Sequence, residues 1–277
     1  MRQKELLIVT GATGGFGKAI ALFFARLRLK DTNVHPVLCC RNKKKAEKLK
    51  QEIELVGLDS TDYTVLLSDL SQCAGIDILI AHIKALGLPI RALVNNAGAM
   101  FKSYQTNVDE IEMNMAVNFY GPAKLAEALA QLVVPGGSII NVVSLSRKFV
   151  NIDSDFLRAS PKSYSRVNNY AKSKLALTVF TKDMAERYPD LYINAVDPGI
   201  MNTNMIKMGK WFDFLTDFLF RPFTYEPSQS LEAIEAAVQK KISGYVFTRK
   251  KYFPVEKNIA QHPLKELIHT TICNDAK

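Results

Sequence analysis

The chain has 277 residues, of which 48% are apolar and 23% charged. That balance excludes a disordered or fibrous polymer and suits one large globular domain or two small ones. The net charge of +9 admits a partner that carries phosphates, but no recognition motif or aromatic-basic interleaving supports nucleic acid.

Read in order, apolar runs of strand length alternate with segments of helical periodicity. Met1 to Glu5 lead straight into Leu6-Leu7-Ile8-Val9, a run far too short for a signal-peptide core or a membrane span. It predicts a buried strand, and no integral membrane segment is expected. Ile20, Phe23, Phe24 and Leu27 then stand at helical spacing within Lys18 to Arg28. Pro36 to Cys40 predicts a second strand, Lys43 to Leu55 a charged helix, and Tyr63 to Leu67 a third strand. Ser71 is the expected N-cap of a helix running through Lys84. Later strands are expected at Ala92 to Val94, Ser138 to Val143 and Tyr192 to Val196, with Gly244 to Phe247 as the last.

Continuous apolar strands separated by helices predict a parallel sheet covered on both faces. The expected fold is therefore α/β: a single-domain, doubly wound Rossmann sheet spanning residues 1–277, since no linker or repeat divides the chain. In such sheets ligands bind beyond the carboxyl ends of the strands, where strand order reverses. The four cysteines (Cys39, Cys40, Cys73, Cys273) and four histidines (His35, His82, His262, His269) lack disulfide or metal-ligand spacing. Reduced thiols, a cytoplasmic setting and no bound metal are expected.

The chemistry is carried by motifs placed directly after the strands. Thr10-Gly11-Ala12-Thr13-Gly14-Gly15-Phe16-Gly17 opens the first helix. Residues without Cβ let the backbone turn tightly and approach a pyrophosphate seated on the helix N-terminus. Gly11, Thr13, Gly14, Gly15, Phe16 and Gly17 are thus candidate cofactor contacts. Arg41-Asn42-Lys43 follows the second strand, and no acid lies between Val37 and Lys45. An acid there would bond a ribose 2′-hydroxyl, whereas an arginine accommodates a 2′-phosphate; NADP(H) is the expected cofactor. Tyr170 and Lys174 lie at i and i+4 on one helical face. A nearby ammonium favours the phenolate and is expected to lower the tyrosine pKa, which suits proton transfer to a substrate oxygen. Ser144, directly after its strand, would bond the substrate carbonyl and stabilise oxyanion charge; Ser146 is its rival.

Together these motifs, with Asn95-Asn96-Ala97-Gly98 and Pro198-Gly199, resemble the short-chain dehydrogenase/reductase superfamily from about Leu6 to about Phe247. The subgroup most resembled is the retinol-dehydrogenase-like proteins, through Val94 to Met100, Tyr170 to Ala176 and Val196 to Gly199. The resemblance implies further roles. Asp69 and Leu70 would flank the adenine, and Asn96, Ala97 and Gly98 the adenosine side. Asn118 would position Lys174 through water, and Lys174 would bond the nicotinamide ribose. Pro198, Gly199 and Thr203 would contact the carboxamide. The 26 positions from Ser144 to Tyr170 exceed the family's usual gap, so Phe149 to Asn169 is expected as an inserted loop. The longer connection from Gly17 to Arg41 looks more like sepiapterin or steroid reductases.

Beyond Thr203, the residues Trp211, Phe212, Phe214, Leu215, Phe218 and Leu219 form one wide apolar helical stripe. Core packing, a membrane-surface helix and a lid over the substrate all fit this pattern. The lid, at about 203–225, is favoured because the resembled family places its substrate loop there. The expected activity is interconversion of a carbonyl and an alcohol on an apolar, retinoid-, steroid- or lipid-like substrate. Alternatives are a catalytically silent dinucleotide-binding regulator and a reductase of a smaller polar carbonyl such as a pterin side chain. A homodimer stays open as the assembly.

Overall fold

The computed structural model describes residues 3–158, 160–199 and 227–275. The expected lid and Thr203 lie outside these described residues. Eight strands form one sheet in the order β3-β2-β1-β4-β5-β6-β7-β8. They are β1 (Glu5–Thr10), β2 (Val34–Cys40), β3 (Thr64–Leu67), β4 (Ile90–Asn95), β5 (Val133–Val142), β6 (Tyr192–Val196), β7 (Tyr245–Phe247) and β8 (Tyr252–Pro254). All neighbours pair parallel except β7 and β8. The order reverses between β1 and β4, which opens the crevice predicted for a doubly wound sheet.

Alternation along each strand sends side chains to two cores. Leu6 and Ile8 join one cluster, while Leu7 and Val9 join the other. The second cluster is closed by α1 (Gly15–Lys30) with Ile20 and Phe24, and by α2 (Lys43–Val56) with Leu49 and Ile53. The first is closed by α3 (Cys73–Ala85), α4 (Gly121–Leu129) and α5 (Arg166–Arg187), the last contributing Leu177, Phe180 and Met184. Among the described residues α6 (Leu231–Gln239) and α7 (Lys265–Asp275) also pack on these layers. Ile234 of α6 enters the second cluster; Ile268 and Ile272 of α7 enter the first.

Three expectations need correction. The N-cap of α3 is Gln72, not Ser71, because Asp69 Oδ1 takes the Ser71 amide at 3.0 Å and closes a turn before the helix starts. The inserted loop ends at Ser165, whose hydroxyl accepts the Asn168 amide at 3.5 Å as the N-cap of α5. That loop is anchored rather than free: Ile152 and Phe156 are buried, and the Tyr164 hydroxyl donates to the Phe101 carbonyl at 2.7 Å. Finally, β8 follows the strand expected to be last.

Candidate active site

Every expected motif within the described residues meets at one edge of the sheet. Thr10, at the end of β1, is fully buried, and its Oγ1 accepts the Asn96 and Ala97 amides at 3.0 Å each. Asn96 Nδ2 donates back to the Thr10 carbonyl at 2.9 Å. This lattice ties the end of β1 to the turn after β4. Gly11 turns there with φ +65°, where a Cβ would sit 2.9 Å from Ala97 Cα. A Cβ on Gly17 would stand 2.1 Å from the Gly11 carbonyl oxygen.

This cradle fits a dinucleotide. The first turn of α1 has no acidic residue, and its N-cap, Gly14, makes no side-chain cap. Gly14 and Gly15 are exposed, and Thr13 is partly so. Phe16 is buried and holds the helix on the sheet. Uncapped amides with a positive dipole end favour a diphosphate. Arg41, at the end of β2, is exposed and has no ion-pair partner among the described residues. Lys43 is exposed beside it. Asn42 is also the cap of α2, accepting the Lys45 amide at 3.0 Å. Leu70, next to Asp69, points into the core at 7% exposure.

The acid-base group is assembled from three elements. Ser144 follows β5, and its side chain acts on the Tyr170 phenol in favour of the phenolate. Ser146 is turned to Ser144 instead, donating from its Oγ at 3.1 Å. Lys174 Nζ donates to the Val142 carbonyl at 2.7 Å and lies 5.9 Å from the Tyr170 ring centre. Asn118 sits in a π-helical stretch, Ala116–Tyr120, ahead of α4. Such bulges often mark functional sites. Its Oδ1 accepts the Ala99 amide at 2.8 Å, and its Nδ2 donates to the Ala99 carbonyl at 2.8 Å and to Ser173 Oγ at 3.0 Å. A Cβ on Gly98 would lie 3.2 Å from Asn118 Oδ1 and 3.4 Å from Lys174 Nζ, so Gly98 keeps the gap between them open. Pro198 is held by Ser230, whose Oγ donates to its carbonyl at 2.9 Å. Gly199 turns with φ +79° while its amide donates to Asp197 Oδ1 at 3.0 Å.

One electrostatic expectation is overturned. Burial pushes the Tyr170 phenol up to about 12, the Ser144 hydrogen bond opposes this, and the negative charge of Asp197 adds to it. Burial likewise pushes Lys174 down to about 8, with Asp197 opposing. Desolvation sets the phenol's shift, and a Lys174 amine pushed down to about 8 has lost its charge before the phenol titrates. Asp197, Thr10 and Arg147 were not foreseen as parts of the site. Among the described residues no cluster of His, Cys, Asp or Glu could hold a metal, and no helix is long and apolar enough to cross a membrane.

A doubly wound sheet with a phosphate cradle and a Ser-Tyr-Lys group on one edge defines a dinucleotide-dependent oxidoreductase. The short chain dehydrogenase family model matches residues 5–210, and the chain belongs to that family. Human polyprenol dehydrogenase is 28% identical over 267 residues, covering 90% of this chain and 78% of that protein. Human retinol dehydrogenase 13 is 32% identical over 205 residues, covering 73% and 60%. The chain is thus retinol-dehydrogenase-like, although it spans less than two thirds of the second relative. A short chain dehydrogenase from Burkholderia cenocepacia, solved in complex with NADP, shares the fold with TM-score 0.68 at 21% identity, covering 89% of this chain and 96% of that one.

Proposed function

We propose that the protein is an NADP(H)-dependent oxidoreductase that interconverts a carbonyl and an alcohol on an apolar substrate. The observation that carries this reading is the buried Lys174 amine, bonded to the Val142 carbonyl at 2.7 Å and 5.9 Å from the Tyr170 ring centre, with Ser144 at the end of the same strand. The nicotinamide supplies or accepts the hydride. Ser144 orients the substrate oxygen and stabilises charge that develops on it. Tyr170, protonated at neutral pH with its pKa pushed up to about 12, gives that oxygen its proton. Lys174 holds the strand end through Val142 and brings positive charge under the ring. A silent dinucleotide-binding regulator would have no use for this arrangement.

Cofactor choice rests on Arg41. A charge-assisted contact from it to a 2′-phosphate contributes roughly 1.5–3 kcal/mol, or about ten- to hundredfold at 1.4 kcal/mol per decade. NADPH is therefore expected to be preferred over NADH by that factor, and Arg41→Ala to remove most of it. Equal kcat/KM for the two cofactors in the wild type would sink the assignment.

Substrate polarity rests on the rim. Leu145 and Phe149, on the turn that starts at Ser144, are 51% and 78% exposed, and Val167, one turn before Tyr170, is 54% exposed. Exposed apolar side chains gathered at a site mark a surface that binds apolar partners. The names of the two human relatives, both alcohols with long apolar chains, support the same class. The Trp211 to Leu219 stripe, proposed as a lid, would extend it. Each methylene buried contributes about 0.8 kcal/mol, roughly fourfold in kcat/KM. A series of straight-chain aldehydes with NADPH should climb with length, and Phe149→Ser should flatten the climb. A flat wild-type series would favour a small polar carbonyl instead.

A further inference from the structure

Two asparagines one helical turn apart, Asn114 and Asn118, hold the segment that follows Gly98. Asn118 satisfies Ala99 by itself: its Oδ1 accepts the Ala99 amide and its Nδ2 donates to the Ala99 carbonyl, each at 2.8 Å. An N–H and a C=O of one residue on one side mark extended backbone, so the next pair on that side belongs to Phe101. There Asn114 covers only the amide. Its Oδ1 accepts the Phe101 N–H at 3.2 Å, while its Nδ2 donates to Glu112 Oε1 at 2.7 Å and to the Tyr164 hydroxyl at 3.1 Å. The Tyr164 hydroxyl supplies the missing donor, reaching the Phe101 carbonyl at 2.7 Å.

Tyr164 belongs to the inserted loop between Ser144 and Tyr170, and its neighbour Ser165 caps α5. The loop is fixed on its other side as well. The Glu112 amide donates to the Leu157 carbonyl at 2.9 Å, and Phe156 packs edge-on against Phe119 with ring centres 5.6 Å apart. One hydroxyl therefore ties an anchored loop to the segment after β4. That segment borders the reaction centre. A Cβ on Gly98 would lie 3.4 Å from Lys174 Nζ. Asn118 Nδ2 also donates to Ser173 Oγ at 3.0 Å, which in turn donates to the Tyr170 carbonyl at 2.6 Å. Between the two clamped residues the Met100 N–H and C=O face the other way, by the same alternation. They have no hydrogen-bond partner among the described residues, and Met100 is only half-buried. The wall is thus held at every second residue from behind and left open in front, where an unbranched thioether adapts to apolar neighbours.

We infer that Tyr164 is a positioning residue: its hydroxyl latches the inserted loop to Phe101 and so sets Met100, which packs against the apolar part of the substrate. The inference rests on the reading of Ser144, Tyr170 and Lys174 as the reaction centre for an apolar carbonyl. It gives the inserted loop a part in substrate binding.

Tyr164→Phe removes the latch and keeps the ring, including its edge contact with Tyr104 at 6.1 Å. Amide hydrogen exchange at Phe101, read without substrate or cofactor, is expected to be at least about tenfold faster, with the melting temperature lowered by no more than about 4 °C. With decanal and saturating NADPH, KM should rise at least about fivefold while kcat and the NADPH Kd hold within about twofold. Tyr104→Phe takes a hydroxyl from the neighbouring ring and should change neither exchange nor KM. Met100→Ala should raise KM for decanal and leave KM for propanal as it is. Unchanged exchange at Phe101 in Tyr164→Phe overturns the latch. Faster exchange with an unchanged KM makes the tyrosine merely structural and overturns the positioning role. Should Tyr164→Phe fail to fold, an unchanged decanal KM in Met100→Ala overturns the inference equally. A further readout needs no turnover. The Met100 methyl resonance, assigned with Met100→Leu, should shift when decanol is added to the protein with NADPH bound, and no shift removes the substrate contact. A protein that reduces no aldehyde would refute the proposed activity, and Phe101 exchange and the Met100 methyl would then judge the latch and the contact on their own.

Discussion

Tyr170→Phe is expected to lower the rate of carbonyl reduction by about two to four decades, the usual worth of a positioned general acid. NADPH binding should change little, because the substitution removes one hydroxyl and leaves the Gly-rich cradle as it is. The ring stays, so packing on α5 is preserved. Losing the hydroxyl leaves Ser144 with its Ser146 partner at 3.1 Å, which keeps the turn in place. A fall in kcat with an unchanged NADPH Kd is the signature of an interaction made only in the transition state. Lys174→Ala should harm both quantities. It leaves the Val142 carbonyl without the donor it now has at 2.7 Å and takes positive charge from under the ring. Stopped-flow hydride transfer and NADPH fluorescence titration separate the two effects. Turnover by Tyr170→Phe within threefold of wild type would remove the tyrosine from the mechanism and return the silent regulator to first place.

What the sequence made legible, and what it hid, divides along the range of the interactions. The phosphate cradle and the Tyr170–Lys174 pair were legible because each is a local pattern on a strand-turn-helix unit. The sheet was legible because its central strands are continuous apolar runs of strand length, separated by segments of helical periodicity. Thr10 reads as one more strand residue, yet it accepts two amides from the turn after β4, a pairing that the parallel register of β1 and β4 creates. Arg147 reads as a solvated basic residue in a loop; its partner Glu256 lies 109 positions away. The strand β8 was missed because three residues, Tyr252–Pro254, carry too little periodicity to be seen.

The Tyr170 titration was read with the wrong sign for the same reason. Sequence spacing shows the ammonium at i+4 but neither the burial of the phenol nor the approach of Asp197 from another strand. The π-helical stretch around Asn118 belongs here too. An asparagine inside a helix is unfavourable on propensity alone, and the family resemblance is what pointed to Asn118. Its two bonds to Ala99 and one to Ser173 show how the amide is satisfied, and they link the loop after β4 to the helix that carries Tyr170.

Gly17→Ala tests the cradle by a reversal of sign. Alanine is favoured over glycine inside a helix by about 1 kcal/mol, so on propensity the change within α1 should stabilise the protein. The surroundings decide otherwise. A Cβ at this position would stand 2.1 Å from the Gly11 carbonyl oxygen and 2.5 Å from Asn96 Nδ2. The first neighbour is backbone and cannot rotate away. The helix start must therefore lift from the β1–β4 crevice, which also strains the Asn96 bond to the Thr10 carbonyl. The expected result is a loss of about 1–3 kcal/mol in stability, as for an overpacked core, and a loss of more than about tenfold in NADPH affinity as the uncapped amides leave their aim. Gly57 supplies the control. It ends α2 with φ +108° and has nothing within 4 Å of a built Cβ. Gly57→Ala should cost about 1 kcal/mol through backbone strain alone and leave NADPH affinity unchanged. Chemical denaturation and NADPH titration on the two variants read both quantities. A stabilised Gly17→Ala that binds NADPH as the wild type does would show that α1 does not approach the sheet as closely as the cradle requires.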